Sequence, residues 1–279
     1  MTVARAVDVL VVNQQFQNAC GAFNVIQLEH AEAIIAGAQA VELPVIVQIS
    51  ENAVRYHGGL AAIGTATLIM ARDSVLPIVV HLDHAEDENL VHEALDLGFK
   101  SIMFDGSKLP WDENIERTVA MAKACHDYGA SIEAELGEVG GKDGAHAPGV
   151  RTDPDQAAEF VAATQVDSLA VAVGTSHAMA DRSAVVDLDL IAALAAAVPV
   201  PLVLHGSSGV DDAGLQAAVR AGIRKVNIGT RLNQVMTEAV RAELAAHPTL
   251  SDPRKYLGPG RAAIQAEVAR MIALLGQPG

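Results

Sequence analysis

The chain has 279 residues, of which 51% are apolar and 3% aromatic, and its formal net charge is −15 at pH 7. This length suits a single α/β barrel, and the apolar content is enough for a large core built mainly from Ala, Val, Leu and Ile. The acidic balance argues against nucleic acid or an anionic membrane as a partner, because a phosphate backbone needs clustered Lys and Arg, but it leaves room for a small phosphorylated ligand.

Short β-rich runs alternate with longer, Ala-rich helical runs along the chain. The predicted strands are Cys20–Val25, Pro44–Ser50, Pro77–Asp83, Ser101–Asp105, Ser131–Leu136, Ser168–Gly174, Pro201–His205 and Lys225–Ile228. The helical patterns are Leu28–Val41, Ala53–Ala71, Asp87–Leu97, Asn114–Tyr128, Pro154–Ala163, Leu188–Ala197, Asp211–Ala221 and Arg231–Ala246. These strand–helix units predict an α/β fold, a closed parallel (β/α)8 TIM barrel, in one domain that spans residues 1–279. A doubly wound open sheet is the main alternative, but its glycine fingerprint GxGxxG does not follow the first strand.

Three segments lie outside this repeating pattern. Residues 1–19 are expected to form a helix that covers the bottom of the barrel. A tail helix is predicted over roughly Ala262 to Leu275. The segment from Gly137 to Thr152 is rich in glycine and has no apolar periodicity. Connections of that length are usually functional or disordered.

Polar side chains stand at the carboxyl ends of all the predicted strands. These ends carry Asn24, Ser50, Asp83 with His84, Asp105, Glu135, His177, His205 and Asn227. Barrels of this kind carry their chemistry at that end, and three neutral imidazoles with one open position suit a catalytic zinc. The histidines at 84, 177 and 205 therefore predict a metal site at the barrel mouth. His81 is interpreted as structural, and Glu133 is an alternative to Glu135 for an inward-facing role.

Two glycine-containing segments follow the last two strands. They are Gly206-Ser207-Ser208-Gly209 and Asn227-Ile228-Gly229-Thr230, the second of which leads into a helix. The loops after the seventh and eighth strands are the usual phosphate site of this architecture, so we expect both to bind phosphate.

The cysteines and the termini favour a cytoplasmic protein. Cys20 and Cys125 belong to no paired motif, which predicts buried free thiols in a reducing compartment. The first residues show no basic region followed by an apolar core, so no secretion signal is expected. The most apolar stretch, Leu190 to Leu204, is too short for a membrane span and contains Pro199 and Pro201.

A series of ordered motifs resembles one known family over essentially the whole chain. The chain resembles the class II, zinc-dependent ketose-bisphosphate aldolases, most closely the branch that contains tagatose-bisphosphate aldolase. The motifs are Gly21-Ala22-Phe23-Asn24-Val25, His81-Leu82-Asp83-His84, Phe104-Asp105-Gly106-Ser107, Glu133-Ala134-Glu135-Leu136-Gly137, Gly140-Gly141, Gly174-Thr175-Ser176-His177, Leu204-His205-Gly206-Ser207-Ser208-Gly209, Lys225-Val226-Asn227-Ile228 and Asp252-Pro253-Arg254-Lys255-Tyr256.

The resemblance implies a role for each predicted site residue. It implies zinc on His84, His177 and His205, with Asp105 and Glu135 as an alternative or second metal position. It implies that Asp83 is the acid/base for the aldehyde oxygen. Substrate contacts are assigned to Asn24, Ser50, Asn227 and the backbone of Gly206, Ser207, Ser208, Gly229 and Thr230. A monovalent cation, Na⁺ or K⁺, near the phosphate and a homodimer or homotetramer are implied as well.

The residue types at the strand ends are also consistent with aldol chemistry without reference to the family. Cleaving a ketose C–C bond leaves an enediolate, whose charge a Lewis acid at the mouth would stabilise. Asp83, beside a predicted ligand, can take the hydroxyl proton in cleavage and return it in condensation. A Schiff-base mechanism would need a lysine at the carboxyl end of a strand, whereas Lys100 and Lys225 are placed at the start of strands four and eight.

The chain departs from the family pattern in two places. Ala178 and Met179 stand where the family has glycine and, shortly after, tyrosine, so a methyl group would crowd the cation and phosphate site. The glycine loop reads Gly140-Gly141-Lys142-Asp143-Gly144, where the family carries a glutamate just after its paired glycines. Asp143 is our catalytic candidate for the base that acts on the ketone fragment, and Glu138 is the alternative.

Several functions remain open at this point. The substrate could be tagatose or fructose 1,6-bisphosphate, cleaved to dihydroxyacetone phosphate and an aldehyde such as glyceraldehyde 3-phosphate, or 5-dehydro-2-deoxygluconate 6-phosphate. A non-catalytic phosphosugar-binding or assembly subunit is favoured by the altered loop and opposed by the intact histidines. A metal-dependent hydrolase would need a His-x-His pair that the first strand lacks. Candidates for a distal phosphate contact are Arg151, Arg182 and Arg231, each equally a surface charge.

Overall fold

The structure, a computed structural model, describes residues 3–137, 151–175 and 184–276. Within these ranges, eight parallel strands follow one another in chain order around a closed barrel. The strands are β1 Cys20–Asn24, β2 Val45–Ser50, β3 Ile78–Ala85, β4 Ser101–Phe104, β5 Ser131–Leu136, β6 Ser168–Val171, β7 Leu202–Leu204 and β8 Ile223–Ile228. β8 closes on β1, with Ala22 opposite Asn227. The predicted TIM barrel is confirmed.

Helices cover the outside of the barrel. They are α1 Ala6–Gln15, α2 Leu28–Val41, α3 Glu51–His57, α4 Ala61–Asp73, α5 Glu88–Leu97, α6 Trp111–Asp127, α7 Pro154–Thr164, α8 Leu188–Ala197, α9 Asp212–Ala221, α10 Thr230–Ala246 and α11 Pro253–Gly276, with a 3₁₀ helix at Ser207–Gly209. Outward strand residues such as Phe23, Val47 and Leu82 join the apolar helix faces in one large core. Strands buried on both sides in this way read as near-continuous apolar runs.

Helix α1 covers the bottom of the barrel, as predicted. Its buried residues Ala6, Val9 and Leu10 contact the apolar side chains of Cys20 and Ile46 at the amino ends of β1 and β2. This cluster seals the barrel below, so the open mouth lies at the other end of the strands.

The helix predicted over Ala53–Ala71 is wrong, because two helices occupy this region. α3 ends at His57, and the next residue, Gly58, has a left-handed φ of 73° and donates its N–H to the carbonyl oxygen of Arg55. Glycine adopts this conformation without the steric penalty of a Cβ, so it ends the helix there. The apolar pattern continues on both sides of the break, which concealed it in the sequence.

The C-terminal helix is longer than predicted, since α11 begins at Pro253. Pro259 lies inside its second turn, although a proline in a helix lacks one backbone N–H donor. The helix continues because it packs along α2 and α10. A Cβ at Gly260 would lie 3.1 Å from side-chain atoms of Met236 and Val240, so the small residue permits this close approach.

Two further expectations are tested by the described residues. Cys20 and Cys125 are free and buried, as predicted. Among the helices that the structure describes, none combines the length and the apolar character needed to cross a bilayer.

Candidate active site

The end of β3 delivers two adjacent polar side chains to one cavity. His84 has a left-handed φ of 51°, and the pairing of β3 with β4 changes register between Leu82 and Ala85. In a regular strand Asp83 and His84 would point to opposite faces. The irregularity breaks that alternation, so both side chains line the cavity at the barrel mouth. Left-handed backbone is uncommon outside glycine and is often found at functional sites.

Buried imidazole and carboxylate groups meet at this end of the barrel. The ring centroids of His84 and His205 are 4.5 Å apart, and the two rings meet edge to face. Potential ligand atoms of these two histidines and Asp83 all lie within 4.8 Å of one another. This combination of imidazole nitrogen and carboxylate oxygen is the donor set that zinc binds.

A second set of donors shares His84. His84, Asp105 and Glu135 also bring ligand atoms within 4.8 Å of one another. His84 Nδ1 donates to Asp105 Oδ2 at 2.8 Å and lies 3.9 Å from Glu135 Oε2. The carboxylate of Glu135 also lies 3.3 Å from His205 Nδ1. Asp105 and Glu135 can therefore orient the two histidines or take part in a second metal position.

Three side-chain amides surround the carboxylate of Asp83. Asn227 Nδ2 donates to Oδ1 at 3.1 Å, while Asn24 and Gln48 donate to Oδ2 at 3.4 and 3.5 Å. Burial alone would raise the pKa of Asp83, but electrostatic interactions with neighbouring groups, His84 first and then His205 and Lys225, hold it well below its usual value. The arrangement favours an ionised carboxylate that can accept a proton.

Gln48 is a site residue that sequence reasoning missed. It is fully buried in β2, lines the cavity, and donates to Asn24 Oδ1 at 3.0 Å. The available signal was a single polar residue within the apolar run of residues 45–49, placed two residues before Ser50 and therefore on the same face of the strand.

A layer of charged and polar side chains lies inside the barrel beneath the metal donors. Lys225 Nζ donates to Glu133 Oε2 at 2.6 Å and lies 3.3 Å from His81 Nε2. His81 Nδ1 lies 2.7 Å from Ser101 Oγ, which agrees with its predicted structural role. Glu133 Oε1 accepts from His205 Nε2 at 3.0 Å.

Lys225 is not at the bottom of the barrel, as its predicted position at the start of the eighth strand implied. β8 begins two positions earlier, at Ile223, and the ammonium group of Lys225 is fully buried in the barrel interior. Its ion pair with Glu133 lowers the pKa of that carboxyl to about 2, although burial opposes the shift. The pKa of His81 falls to about 3, because of burial and then the nearby Lys225.

The cavity at the barrel mouth has a volume of about 300 Å³. It is lined by ten of the predicted site residues and by several that the sequence did not single out. The predicted ones are Asn24, Ser50, Asp83, His84, Gly206, Ser207, Ser208, Asn227, Gly229 and Thr230, and the others include Gln48, Asn52 and Asn233. A concave site with convergent polar groups is the usual form of a small-molecule site.

The two predicted phosphate loops form one wall of this cavity. Gly206 has a left-handed φ of 65° and starts the 3₁₀ helix, and the Ser207 hydroxyl donates to the carbonyl of Asn227, which joins the loops. Gly229 precedes α10, and a Cβ there would lie 2.8 Å from Asn24 Oδ1. The first N–H groups of a helix lack partners within it and attract anions, so this wall can bind a phosphate.

The structure describes two of the three arginines considered as contacts for a distal phosphate, and these two differ in where they lie. Arg231 Nε donates to Glu267 Oε1 at 3.0 Å and Arg231 does not line the main cavity, so the structure favours the surface-charge alternative for it. Arg151 is exposed beside Gly174, at the end of β6. Arg182 lies outside the described residues.

The fold and this geometry agree with comparisons to known proteins. The family model for class II fructose-bisphosphate aldolase matches residues 5–279. The chain belongs to the class II fructose-bisphosphate aldolase family. It is an aldolase, which is a lyase, and the family acts on phosphorylated sugars.

Two relatives that are named for different substrates are equally similar to the chain. It is 37% identical to the 6-phospho-5-dehydro-2-deoxy-D-gluconate aldolase of Shouchella clausii over 262 residues, 92% of this chain and 89% of that protein. It is also 37% identical to the fructose-bisphosphate aldolase of Geobacillus stearothermophilus over 265 residues, 94% and 92% of the two chains. Among solved structures, the YdjI aldolase of Escherichia coli K12 superposes with a TM-score of 0.87 at 30% identity, covering 100% of this chain and 99% of that one.

The described residues contain only part of the predicted site. The structure brings His84, His205, Asp83, Asp105 and Glu135 together, and the roles that the aldolase resemblance implies for them stay predictions. His177 and Asp143 lie outside the described residues, as do Glu138, Ala178 and Met179. The complete three-histidine ligand set therefore stays a prediction.

Proposed function

We propose that this aldolase is zinc-dependent and cleaves a phosphorylated ketose, tagatose or fructose 1,6-bisphosphate, to dihydroxyacetone phosphate and glyceraldehyde 3-phosphate. The observation that carries this proposal is the juxtaposition of two sites in one cavity. Asp83 and His84 line this cavity with His205 buried beside them, and the two loops that can bind phosphate line the same cavity. A substrate that carries a phosphate near a ketone oxygen can contact both groups at once.

His84 and His205, with the predicted ligand His177, would hold the zinc, and Asp105 and Glu135 would provide a second position. When bound, zinc supplies Lewis-acid stabilisation of the negative charge that develops on the ketone fragment. A monovalent cation, Na⁺ or K⁺, is proposed beside the phosphate loops.

Asp83 performs the central proton transfer in this proposal. Its ionised carboxylate, held by the amides of Asn24, Gln48 and Asn227, takes the proton of the substrate hydroxyl as the C–C bond breaks. In condensation the same group returns the proton to the aldehyde oxygen. Three fixed donors keep the carboxylate in one orientation, which is what efficient proton transfer between fixed partners requires.

Substrate positioning falls to the remaining lining residues. Ser50 and Asn24 would contact substrate hydroxyl groups, while backbone amides of the loops at Gly206–Gly209 and Gly229–Thr230 would bind the phosphate. Asp143, or alternatively Glu138, would exchange the proton on the ketone fragment.

A second substrate is supported by a specific observation. The relative of Shouchella clausii named for 6-phospho-5-dehydro-2-deoxy-D-gluconate is as similar as the relative named for fructose bisphosphate. We therefore propose 5-dehydro-2-deoxygluconate 6-phosphate as the alternative substrate. A homodimer or homotetramer in the cytoplasm is proposed as well, and the two buried free thiols favour a reducing compartment.

A coupled assay across a panel of phosphorylated ketoses tests the proposal. The purified chain is assayed for release of dihydroxyacetone phosphate as isolated, after removal of metal by a chelator, and after addition of zinc or cobalt. We expect cleavage of at least one of the three ketoses, its loss in chelator and its return with either metal. Full activity in chelator would rule out the metal mechanism.

A further inference from the structure

Five polar side chains form a continuous buried chain of contacts inside the barrel. The contacts run from Ser101 to His81, on to Lys225, then to Glu133 and finally to His205. Each of these residues is at most 2% exposed. They come from β4, β3, β8 and β5 and from the residue after β7, so the chain spans the barrel. Only its last member belongs to the predicted metal site.

The contact between Glu133 and His205 determines which ring nitrogen can bind a metal. Glu133 Oε1 lies 3.0 Å from His205 Nε2, and an ionised carboxylate can only accept, so Nε2 carries the hydrogen. A metal-bound imidazole is neutral and carries one hydrogen, so Nδ1 is then the nitrogen whose lone pair can reach a metal. Nδ1 lies 3.3 Å from Glu135 Oε2, and ligand atoms of His205, His84 and Asp83 lie within 4.8 Å of one another.

Lys225 holds Glu133 in the orientation that this contact needs. A buried carboxylate is costly unless it is paired, and Lys225 Nζ lies 2.6 Å from its second oxygen. Each oxygen of Glu133 thus has its own partner, Oε1 with His205 and Oε2 with Lys225. Lys225 is itself located by His81, whose other nitrogen is bound by Ser101. The carboxylate therefore has little freedom to rotate away from His205.

We propose that the Glu133–Lys225 pair positions His205 for zinc, with Glu133 selecting the Nδ1-binding tautomer and Lys225 fixing Glu133. This inference rests on the proposed zinc dependence. Neither residue touches substrate in this scheme, so both act through His205. Partners of this kind that orient a ligand typically change metal affinity about 10- to 100-fold when they are removed. The competing explanation is that Glu133 and Lys225 only neutralise each other's charge in the barrel interior and have no effect on how His205 binds zinc.

Two double variants separate these explanations. Both carry Lys225→Met, which removes the cation, and they differ in the second substitution, Glu133→Gln or Glu133→Met. In each double variant the two new side chains are uncharged and similar in size to those they replace. Replacement of a buried ion pair by neutral groups is often tolerated. Only the glutamine side chain retains an oxygen that can accept from His205 Nε2. Thermal unfolding of the metal-free proteins checks that the two variants are equally folded.

The readouts are zinc affinity and the spectrum of the cobalt-loaded protein. Zinc Kd is measured by competition with a chromophoric chelator. We expect the double variant with Glu133→Met to bind zinc about 10- to 100-fold more weakly than wild type and to show an altered cobalt absorption band. The double variant with Glu133→Gln is expected to stay closer to wild type in both. Equal zinc affinities and identical cobalt spectra for the two double variants would overturn the inference.

A measurement on the wild-type protein covers the case in which neither variant folds. Histidine-selective ¹⁵N NMR of the zinc-loaded protein reports the protonated nitrogen of His205, and we expect it to be Nε2. A signal showing zinc on Nε2 and the hydrogen on Nδ1 would overturn the inference. Wild type that cleaves a ketose and binds zinc while failing these tests leaves the proposed function intact, whereas wild type that binds no zinc removes both.

Discussion

Substitution of Asp83 by alanine tests the proposed proton transfer most directly. The variant removes a carboxylate that lines the cavity and accepts from three amides, and among the described lining residues Asp83 is the one acidic side chain. Removing a general acid–base group typically slows a reaction about 10²- to 10⁴-fold. That range corresponds to about 3 to 5 kcal/mol of activation free energy. Substrate affinity should change less than turnover, because phosphate binding is assigned to backbone amides of the two loops and not to the carboxylate of Asp83.

The cost to folding should be smaller than the cost to catalysis. Asp83→Ala leaves the amides of Asn24, Gln48 and Asn227 without their carboxylate, and an unsatisfied buried donor costs about 1 to 3 kcal/mol. The site borders an open cavity, so water can replace part of the lost contacts. We therefore expect a folded protein, with a modestly lower free energy of unfolding, that binds ketose phosphate but cleaves it slowly.

The assay combines steady-state kinetics of cleavage, zinc content and thermal unfolding. A matched control is Asp87→Ala, which removes a carboxylate from the loop after β3 that caps α5 by accepting from Asn89 N at 2.8 Å. Asp87 does not line the cavity. The control should lose about 1 kcal/mol of stability and keep its turnover. Near-normal turnover in Asp83→Ala, with zinc bound, would show that another group moves the proton.

Three further predictions concern other parts of the chain. Asp143→Ala should slow the exchange of the ketone-fragment proton of dihydroxyacetone phosphate with solvent, followed by NMR in deuterated water; an unchanged rate would make Glu138 the next residue to test. Gly229→Ala should raise KM for the ketose phosphate about 10-fold, because its methyl group would clash with the side chain of Asn24 beside the phosphate loop; Gly258→Ala, where a Cβ meets nothing within 4 Å, is the control that should leave KM unchanged. The two cysteine thiols, whose pKa burial raises to about 12, should resist a thiol reagent at pH 8 until the protein is unfolded, since only the thiolate reacts; rapid labelling of the native protein would contradict their burial.

The architecture could be predicted because its signals are local. Parallel strands covered on both faces produce short apolar runs, and glycine or Asp-Pro pairs mark where helices end or begin. Gly98 and Gly222, for example, directly follow α5 and α9, whose predicted ends at Leu97 and Ala221 agree with the structure. The break between α3 and α4 was missed because the apolar pattern extends across Gly58. The early start of α11 was missed because packing against α10 outweighs the local effect of Pro259.

The candidate site was only partly predictable for a different reason. Residues at strand ends, such as Asp83 and His205, could be identified because every strand of a parallel barrel ends at the same mouth. Gln48 and Lys225 lie within strands, where the sequence does not show whether a polar side chain points into the barrel or how deep it lies. That depth depends on strand tilt and register, which follow from closure of the barrel as a whole.

The sequence by itself determined the barrel, the order of its strands and the types of residue at their carboxyl ends, because apolar periodicity and turn chemistry are properties of neighbouring residues. Only the tertiary structure decided which atoms meet. The left-handed backbone at His84 turns that ring into the same cavity as Asp83. Closure of the barrel brings Lys225 of β8 to Glu133 of β5, across the interior from a strand that is not its neighbour. Distances of this kind arise from the whole sheet, so no local segment encodes them.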